Sequence, residues 1–337
     1  MRAETNVKVC AVVKADAYGH GAARIAQTAE KFADELAVAD MREAAELLEA
    51  GVKSPVNILG PLAQNQGAAE ETRRILKGFP NIYPTVCDLE DIKAIGRIPC
   101  ARRAVNLKIN TGMNRLGVKP SEVLTAARRI EDAGGSLKSV FSHLYNAADS
   151  KDAVSQLKRF RSCTEFLSVG VARHLAASSC MALPEAFRFD MVRPGLALYG
   201  YGGGTEPVLQ IRAAVIKMLR IQKGEHLSYG EYLAPRDMVV AALGAGYADG
   251  LRRKSNPASE DRVVSVNGAL CPVVGQICMD ITLIDVTKAA VKRGDYAYVI
   301  GGGAQAGALA AAYQTNVYEI LTGFKGRIKR NYKDLTE

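Results

Sequence analysis

The sequence predicts an α/β protein, a parallel (β/α)₈ barrel of the TIM type followed by a mostly β domain. Three observations predict it. Short apolar runs alternate with helical patterns between residues 9 and 193, a glycine-rich link follows at Gly200 to Gly204, and from about Val208 the texture turns β-rich, with helical patterns scarce until Ala304 to Ala312. Such alternation over about 200 residues is the mark of a closed parallel barrel. The expected domains are residues 1–207 and 208–337.

The candidate barrel strands are Val9 to Val13, Leu36 to Ala39, Val56 to Leu59, Ile82 to Val86, Val105 to Ile109, Val140 to Leu144, Arg173 to Ala177 and Phe189 to Val192. Short runs of this kind suit strands buried on both faces. Between them, Ala22 to Glu35 and Met41 to Ala50, the latter closed by Gly51, read as helices. Pro120 to Ala133 does too, with a proline at its start and Gly134 just past its end, as helix termini prefer. The eighth run lacks a long helix after it. Pro194-Gly195 and Leu196 to Tyr199 lead instead into the glycine-rich link, which reads as a flexible connection between domains. In the second domain the strand candidates are Ala213 to Leu219, Met238 to Gly244, Arg262 to Val266, Cys271 to Val274 and Ala297 to Ile300.

Bulk properties narrow the function classes. A chain of 337 residues suits two domains with sizeable cores. No stretch approaches eighteen consecutive apolar residues, so no membrane span is expected. Met1 to Asn6 carries Arg2 and Glu4 in place of a signal peptide's apolar block, so a cytoplasmic location is expected. The seven cysteines are scattered without a C-x-x-C pair, and the four histidines form no H-E-x-x-H, which favours reduced core thiols and no metal. The net charge of +9 is spread along the chain, concentrated only at Arg102-Arg103, Arg252-Arg253-Lys254 and Lys325 to Lys329. No nucleic-acid module surrounds these residues, and a basic interior serving anionic ligands accounts for part of the excess.

The chemistry centres on Val12-Val13-Lys14-Ala15-Asp16-Ala17-Tyr18-Gly19-His20-Gly21. An apolar strand ends on Lys14, and the chain then opens a helix. A lysine there is held by rigid backbone and partly desolvated, which favours the neutral amine able to condense with an aldehyde. Tyr18 falls near a helix N-terminus, where a phosphate is electrostatically welcome. The segment resembles the pyridoxal-phosphate lysine motif of the alanine racemases, A-V-V-K-A-D/N-A-Y-G-H-G. The resemblance extends from Val9 to about Tyr332 through further segments.

Lys108-Ile109-Asn110-Thr111-Gly112-Met113-Asn114-Arg115-Leu116-Gly117 is similar to the family's K-V-D-T-G-M-x-R-x-G. The resemblance implies that Arg115 binds the substrate carboxylate and the cofactor's phenolic oxygen, a task for a bidentate guanidinium. Lys108 matches a lysine that many members carry carbamylated. Asn110 and Asn114 depart from the usual Asp and small residue. His143, in Phe141-Ser142-His143, matches a histidine supporting the cofactor-ring arginine. His174-Leu175-Ala176-Ala177-Ser178 and Phe189 to Leu196 imply that the Ser178 hydroxyl and the Gly195 and Leu196 amides take the cofactor phosphate with Tyr18, with Ala177 replacing the usual asparagine. Arg193 is implied to face the pyridine nitrogen. An arginine is donor-only there, so the ring is a weaker electron sink than beside a carboxylate, which suits racemisation over transamination.

In the β domain, Leu227-Ser228-Tyr229-Gly230 resembles V-S-Y-G. Racemisation needs two acid/base groups on opposite faces of Cα. Lys14 is implied as one and Tyr229 as the other, the tyrosine arriving from the partner of a homodimer. Tyr247 and Asp249 of Gly246 to Gly250, and Met279 and Asp280 of Gly275 to Asp280, fall in segments similar to G-Y-A-D-G and G-R-I/V-C/S-M-D, with Gln276 where arginine is usual. Tyr247 is implied at the entrance and the Met279 amide at the substrate carboxylate, also across the dimer. Tyr318, in Asn316 to Ile320, matches the late Y-E-I/V motif near the phosphate and pocket wall.

Members usually carry a strand and a helix before the lysine strand, whereas eight residues precede Val9 here, so the resemblance implies a barrel lacking that N-terminal strand and helix. The implied activity is interconversion of L- and D-alanine with pyridoxal 5'-phosphate, supplying D-alanine for peptidoglycan. Two other readings are a serine racemase of the same family and a non-catalytic pyridoxal-phosphate-binding regulator. Tyr318 favours alanine, because a bulky wall crowds a hydroxymethyl group. The β domain with Tyr229 and Met279 speaks against the regulator.

Overall fold

The computed structural model describes residues 7–62, 69–95, 104–180, 182–202, 204–253 and 261–333. Met1 to Asn6, Cys100, Arg102-Arg103 and Lys254 lie outside the described residues. The chain divides into two compact units, residues 1–207 and 208–337.

The first unit is a barrel of eight strands: β1 (Lys8–Val12), β2 (Glu35–Val38), β3 (Val56–Pro61), β4 (Ile82–Val86), β5 (Ala104–Lys108), β6 (Ser136–Phe141), β7 (Ala172–His174) and β8 (Met191–Val192). Their order is β7-β6-β5-β4-β3-β2-β1-β8. All named pairings are parallel, with Cys10 opposite Glu35 and Lys8 opposite Met191. The ring closes between β7 and β8, where Asp190 N donates to Arg173 O at 3.0 Å and Arg193 N to Ala176 O at 2.9 Å. Parallel neighbours require crossovers. Helices Ala22–Ala29, Met41–Glu49, Ala69–Gly78, Leu89–Ile95, Val123–Asp132 and Ser150–Thr164 supply them. Asp40 and Asp149 cap two of these, each carboxylate accepting from two backbone amides of the first turn. A cap of this kind stabilises by about 1 kcal/mol. Leu36, Val56, Ile58, Ile82, Leu107 and Val140 are fully buried in the strands, each contributing about 1.5–3 kcal/mol.

Several elements of the first unit depart from the sequence reading. The chain after Lys14 forms a left-handed turn before the helix starts at Ala22. That helix ends at Ala29 and the next strand begins at Glu35; Asp34, just before it, accepts from Val9 N through its Oδ2 at 2.8 Å. Strand β6 starts at Ser136, ahead of the apolar run at Val140, since Lys138 and Ser139 turn polar side chains toward the barrel interior. The glycine link is folded back on itself, so tightly that a β-carbon on Gly200 (φ 86°) would overlap the Glu206 carbonyl.

The second unit holds a closed barrel of β9 (Ile211–Ile221), β10 (Met238–Leu243), β11 (Val263–Val266), β12 (Ala269–Val274), β13 (Thr282–Asp285) and β14 (Tyr296–Ile300), in the order β10-β13-β12-β11-β14-β9. All its pairings are antiparallel. Strand β13 was not among the sequence candidates; its four residues end on polar groups at both sides and its pairing to β10 and β12 defines it. Helices Ala306–Ala312 and Val317–Gly323 follow, the second capped by Asn316, whose Oδ1 accepts from Glu319 N at 3.1 Å.

Candidate active site

Lys14 directly follows β1 and Val13, at the carboxyl end of the barrel. Ala15, Asp16, Ala17 and Tyr18 have φ of 53°, 55°, 52° and 54°, a left-handed conformation that costs a non-glycine residue about 1–2 kcal/mol. Tertiary bonds hold it. Ala15 N donates to Glu43 Oε1 at 2.8 Å, Ala22 N to Asp16 Oδ1 at 2.7 Å, and Gly21 N to Asp16 O at 2.9 Å. The His20 Nδ1 contacts the Ala17 and Tyr18 carbonyls, both at 3.0 Å. Its ring packs at a tilt against Tyr199, whose hydroxyl donates to Val12 O at 3.0 Å. Burial and then the Arg115 guanidinium push the Lys14 ammonium below the usual lysine range, with Glu43 working against them. A depressed lysine holds a larger fraction of neutral, nucleophilic amine.

Tyr18 and the segment after β8 form one wall. The Tyr18 hydroxyl lies so close to Gly195 that a β-carbon there would stand 2.5 Å away. Ser178 Oγ accepts from Gly195 N at 2.7 Å and from Ala197 N at 3.2 Å. Hydroxyls and backbone amides thus converge where Tyr18, Ser178 and Gly195 to Ala197 meet, a donor-rich cradle suited to a phosphate.

Arg193 is buried, 4% exposed. Its Nη1 donates to His174 Nδ1 at 2.6 Å, and its Nη2 to the Ser142 and Leu175 carbonyls at 2.6 and 3.3 Å. Burial pushes its pKa down to about 10. Phe141 packs beneath it, with the guanidinium 5.2 Å and Lys108 Nζ 5.5 Å from the ring centre. Burial lowers Lys108 to about 8, with Arg115, Arg193 and Lys14 acting the same way and Cys87 opposing. His143 is driven to about 3 by burial and then by Arg193, Arg115, Lys108 and Lys14. The structure therefore brings Lys14, Lys108, Arg115, His143 and Arg193 into one field of positive charge. Such a field favours an anionic ligand.

The two departures at Asn110 and Asn114 are partners. Asn110 Oδ1 accepts from Gly112 N and Asn114 N at 3.1 and 3.0 Å, and Asn110 Nδ2 donates to Asn114 Oδ1 at 3.0 Å. An Asp at 110 would have no donor for that last bond, and Asn114 stands at φ 54°, which asparagine tolerates. The pair shapes the turn immediately before Arg115.

In the second unit Tyr229, Tyr247 and Met279 share one loop cluster. Ser228, at φ 66°, donates its hydroxyl to Gln276 O at 2.5 Å. Tyr247 N and Ala248 N donate to the Cys278 and Met279 carbonyls at 2.9 and 3.0 Å. A β-carbon on Gly246 would stand 2.3 Å from Cys278 O, so only glycine permits this approach. Tyr229, Met279 and Tyr247 are 66%, 53% and 41% exposed. Arg327 ties Asp280 (2.5 Å) to Asp249 (2.8 Å), and Asp249 Oδ2 accepts from Gly246 N. Tyr318, on the helix Val317–Gly323, is 44% exposed.

Sequence reasoning passed over Glu43, His20, His174 and Arg327. The A-Y-G-H-G spacing was a signal for His20, and two histidines near strand ends were a signal for His174. Glu43 and Arg327 sit in ordinary helical and basic contexts and act only through tertiary contacts.

Fold and site together define a (β/α)₈-barrel enzyme with a cationic, lysine-centred site at the carboxyl ends of its strands, followed along the chain by a β-barrel domain. The chain belongs to the alanine racemase family: the alanine racemase N-terminal domain matches residues 1–202 and the C-terminal domain residues 208–332. It is 36% identical to the alanine racemase of Mycobacterium tuberculosis, over 98% of this chain and 90% of the relative. To the alanine racemase of Thermodesulfovibrio yellowstonii it is 33% identical, over 96% and 90%. The solved alanine racemase of Clostridium difficile superposes with a TM-score of 0.87 at 29% identity, covering 99% of this chain and 91% of that one.

Proposed function

We propose that this protein interconverts L- and D-alanine with bound pyridoxal 5'-phosphate, as a homodimer in which each site takes Tyr229 and Met279 from the partner subunit. The observation that carries the reading is a lysine of depressed basicity at a strand end, beside a cradle of hydroxyls and amides. These residues fit the cofactor. Tyr18, Ser178 and the Gly195 and Leu196 amides would hold its phosphate, Lys14 its aldehyde carbon, Arg193 its ring nitrogen and Arg115 its phenolic oxygen, with Tyr318 near the phosphate.

When bound, the cofactor supplies an electron sink for the Cα–H pair. The chain does the rest. Arg115 grips the substrate carboxylate through two parallel hydrogen bonds, and the Met279 amide meets the same group from the other side. Lys14 Nζ takes or returns the proton on one face of Cα, and the Tyr229 hydroxyl does so on the other. Arg193, whose five N–H groups leave it nothing with which to accept a proton, withholds full positive charge from the ring and so limits transamination. Lys108, lowered to about 8, holds a larger fraction of the neutral amine that carbamylation requires, and a carbamate there would anchor Arg115. Tyr247 stands at the entrance, with Asp280 and Asp249 fixing its loop through Arg327.

The exposure of Tyr229 and Met279 on one loop cluster supports the dimer, since a catalytic pair on an open surface needs a second surface to form a site. A cytoplasmic enzyme supplying D-alanine to peptidoglycan fits a chain in which, among the described residues, no helix is long and apolar enough to cross a membrane. The test is D-alanine formation from L-alanine by the purified protein with added pyridoxal phosphate. Turnover of alanine well above that of serine supports the reading; faster turnover of serine, or cofactor binding with neither, overturns it.

A further inference from the structure

Inside the barrel, below the site, runs a line of polar side chains to which the reaction assigns no task. His174 Nδ1 faces Arg193 at 2.6 Å. A guanidinium only donates, so Nδ1 is the bare acceptor nitrogen, and a neutral ring then carries its proton on Nε2. That ring is neutral, because burial and then Arg193 and Lys138 hold His174 well below the usual histidine range. Nε2–H therefore donates to Ser139 Oγ at 2.9 Å. The Ser139 hydroxyl donates to Asn106 Oδ1 at 2.6 Å, Asn106 Nδ2 to Asn57 Oδ1 at 3.1 Å, and Asn57 Nδ2 to Glu35 Oε2 at 2.6 Å. Lys138 Nζ closes the line on the same Glu35 oxygen at 2.5 Å and also reaches Asn57 Oδ1 at 3.1 Å.

From Arg193 to Glu35 the donors all point the same way, from a cation behind the proposed cofactor ring to a carboxylate at the first residue of β2, and Lys138 donates in from the far end. Second bonds fix the amides: Asn106 Nδ2 also donates to Tyr83 O at 3.2 Å and Asn57 Nδ2 to Leu36 O at 3.3 Å. Neither amide can be reversed without setting two acceptors face to face. His174, Ser139, Asn106 and Asn57 are 2%, 0%, 1% and 2% exposed, so no bulk water can substitute for a lost partner. Strands β2, β3, β5, β6 and β7 each contribute, which makes the line part of the barrel itself and not of a loop.

We propose that Ser139, Asn106, Asn57 and Glu35 are positioning residues that anchor the His174 ring through its Nε2–H and thereby hold the Arg193 guanidinium in one orientation. The proposal rests on the reading of Arg193 as the cofactor-ring residue. Ordered hydrogen-bond partners behind a reacting group set its placement, and small misplacements there cost rate more than binding.

The experiment compares the wild-type protein with Ser139→Ala and Glu35→Gln, using two readouts. Nitrogen-15 NMR of labelled histidine in the cofactor-free protein reports the His174 tautomer. Steady-state racemisation of alanine by the pyridoxal-phosphate-loaded protein reports kcat and KM. In wild type, His174 shows a protonated Nε2 and a bare Nδ1. Ser139→Ala removes the acceptor of Nε2–H, shifts the His174 ring signals from their wild-type positions and lowers kcat about tenfold with KM within about twofold. Glu35→Gln, at the far end of the line, shifts the same signals in the same direction by less. A Ser139→Ala protein that folds and keeps wild-type His174 signals and kcat overturns the proposal. Should that variant fail to fold, unchanged His174 signals in Glu35→Gln overturn it equally. If wild type does not racemise alanine, the functional reading fails while the NMR arm still decides the relay.

Discussion

The Tyr18 hydroxyl and the α-carbon of Gly195 lie so close that a β-carbon at 195 would stand 2.5 Å from the hydroxyl oxygen. Gly195 has no positive φ; the glycine is required because a β-carbon has no space there. A methyl group would displace Tyr18 from the proposed phosphate cradle. Gly195→Ala is expected to weaken pyridoxal-phosphate binding about tenfold or more, corresponding to about 1.4 kcal/mol of overpacking. Absorbance titration of the cofactor-free protein measures it, and unchanged affinity would show that the cradle lies elsewhere.

Lys14 is the group whose loss should be least tolerated. Lys14→Arg retains the charge and much of the length, yet a guanidinium does not condense with an aldehyde. Racemisation is expected to drop by about 10²–10⁴-fold or more, and the absorbance change that accompanies covalent cofactor capture should vanish. Retention of both would remove Lys14 from the centre of the site.

Tyr229→Phe deletes one hydroxyl from an exposed side chain and should leave the melting temperature within about 1 °C, as surface changes do. The rate should fall by about 10²-fold or more, because one face of Cα loses its acid/base group. Solvent-deuterium exchange at Cα separates the faces: exchange without inversion should persist from the Lys14 side. A variant that racemises normally would leave the second base unassigned.

His143 and His174 are both harder to protonate in the folded protein than in the unfolded chain, His143 at about 3 and His174 well below 6.5. Below about pH 6.5 the unfolded state therefore binds more protons, and stability falls with decreasing pH by up to about 1.4 kcal/mol per pH unit for each ring. Above that pH these two groups contribute no pH dependence. Melting temperatures measured from pH 7.5 down to 4.5 should fall, and His143→Gln should flatten the decline. An identical decline in the variant would exclude His143 as its source.

Lys108 is expected to react with carbon dioxide, given an amine lowered to about 8 by burial and neighbouring cations. Carbon-13 bicarbonate should yield a carbamate NMR signal that Lys108→Arg abolishes, with KM for alanine raised as Arg115 loses its anchor. A signal surviving in Lys108→Arg would assign the carbamate to another amine.

The barrel was legible because its strands are short apolar runs buried on both faces, a property of local composition. The position of Lys14, Arg115, Ser178 and Arg193 at strand ends was legible for the same reason, together with the family motifs. The conformation after Lys14 was not. Ala15, Ala17 and Tyr18 have no local preference for positive φ, and the left-handed turn persists only because Glu43, Asp16 and His20 bond its amides and carbonyls. The start of β6 escaped detection because Lys138 and Ser139 interrupt the apolar run, and they do so because the barrel interior at that level is a hydrogen-bonded line instead of a hydrophobic layer.

By itself, then, the sequence determined the eight strands of the first unit in their order, the change of texture near residue 207 and the residue types at the strand ends, since these depend on neighbours a few positions away. Only the tertiary structure decided which histidine holds Arg193, that Asn110 and Asn114 are partners, and that Arg327 joins Asp249 to Asp280. Those relationships are set by side chains from different elements meeting in space, and hydrogen-bond direction and desolvation, which decide their chemistry, exist only once the chain has closed around them.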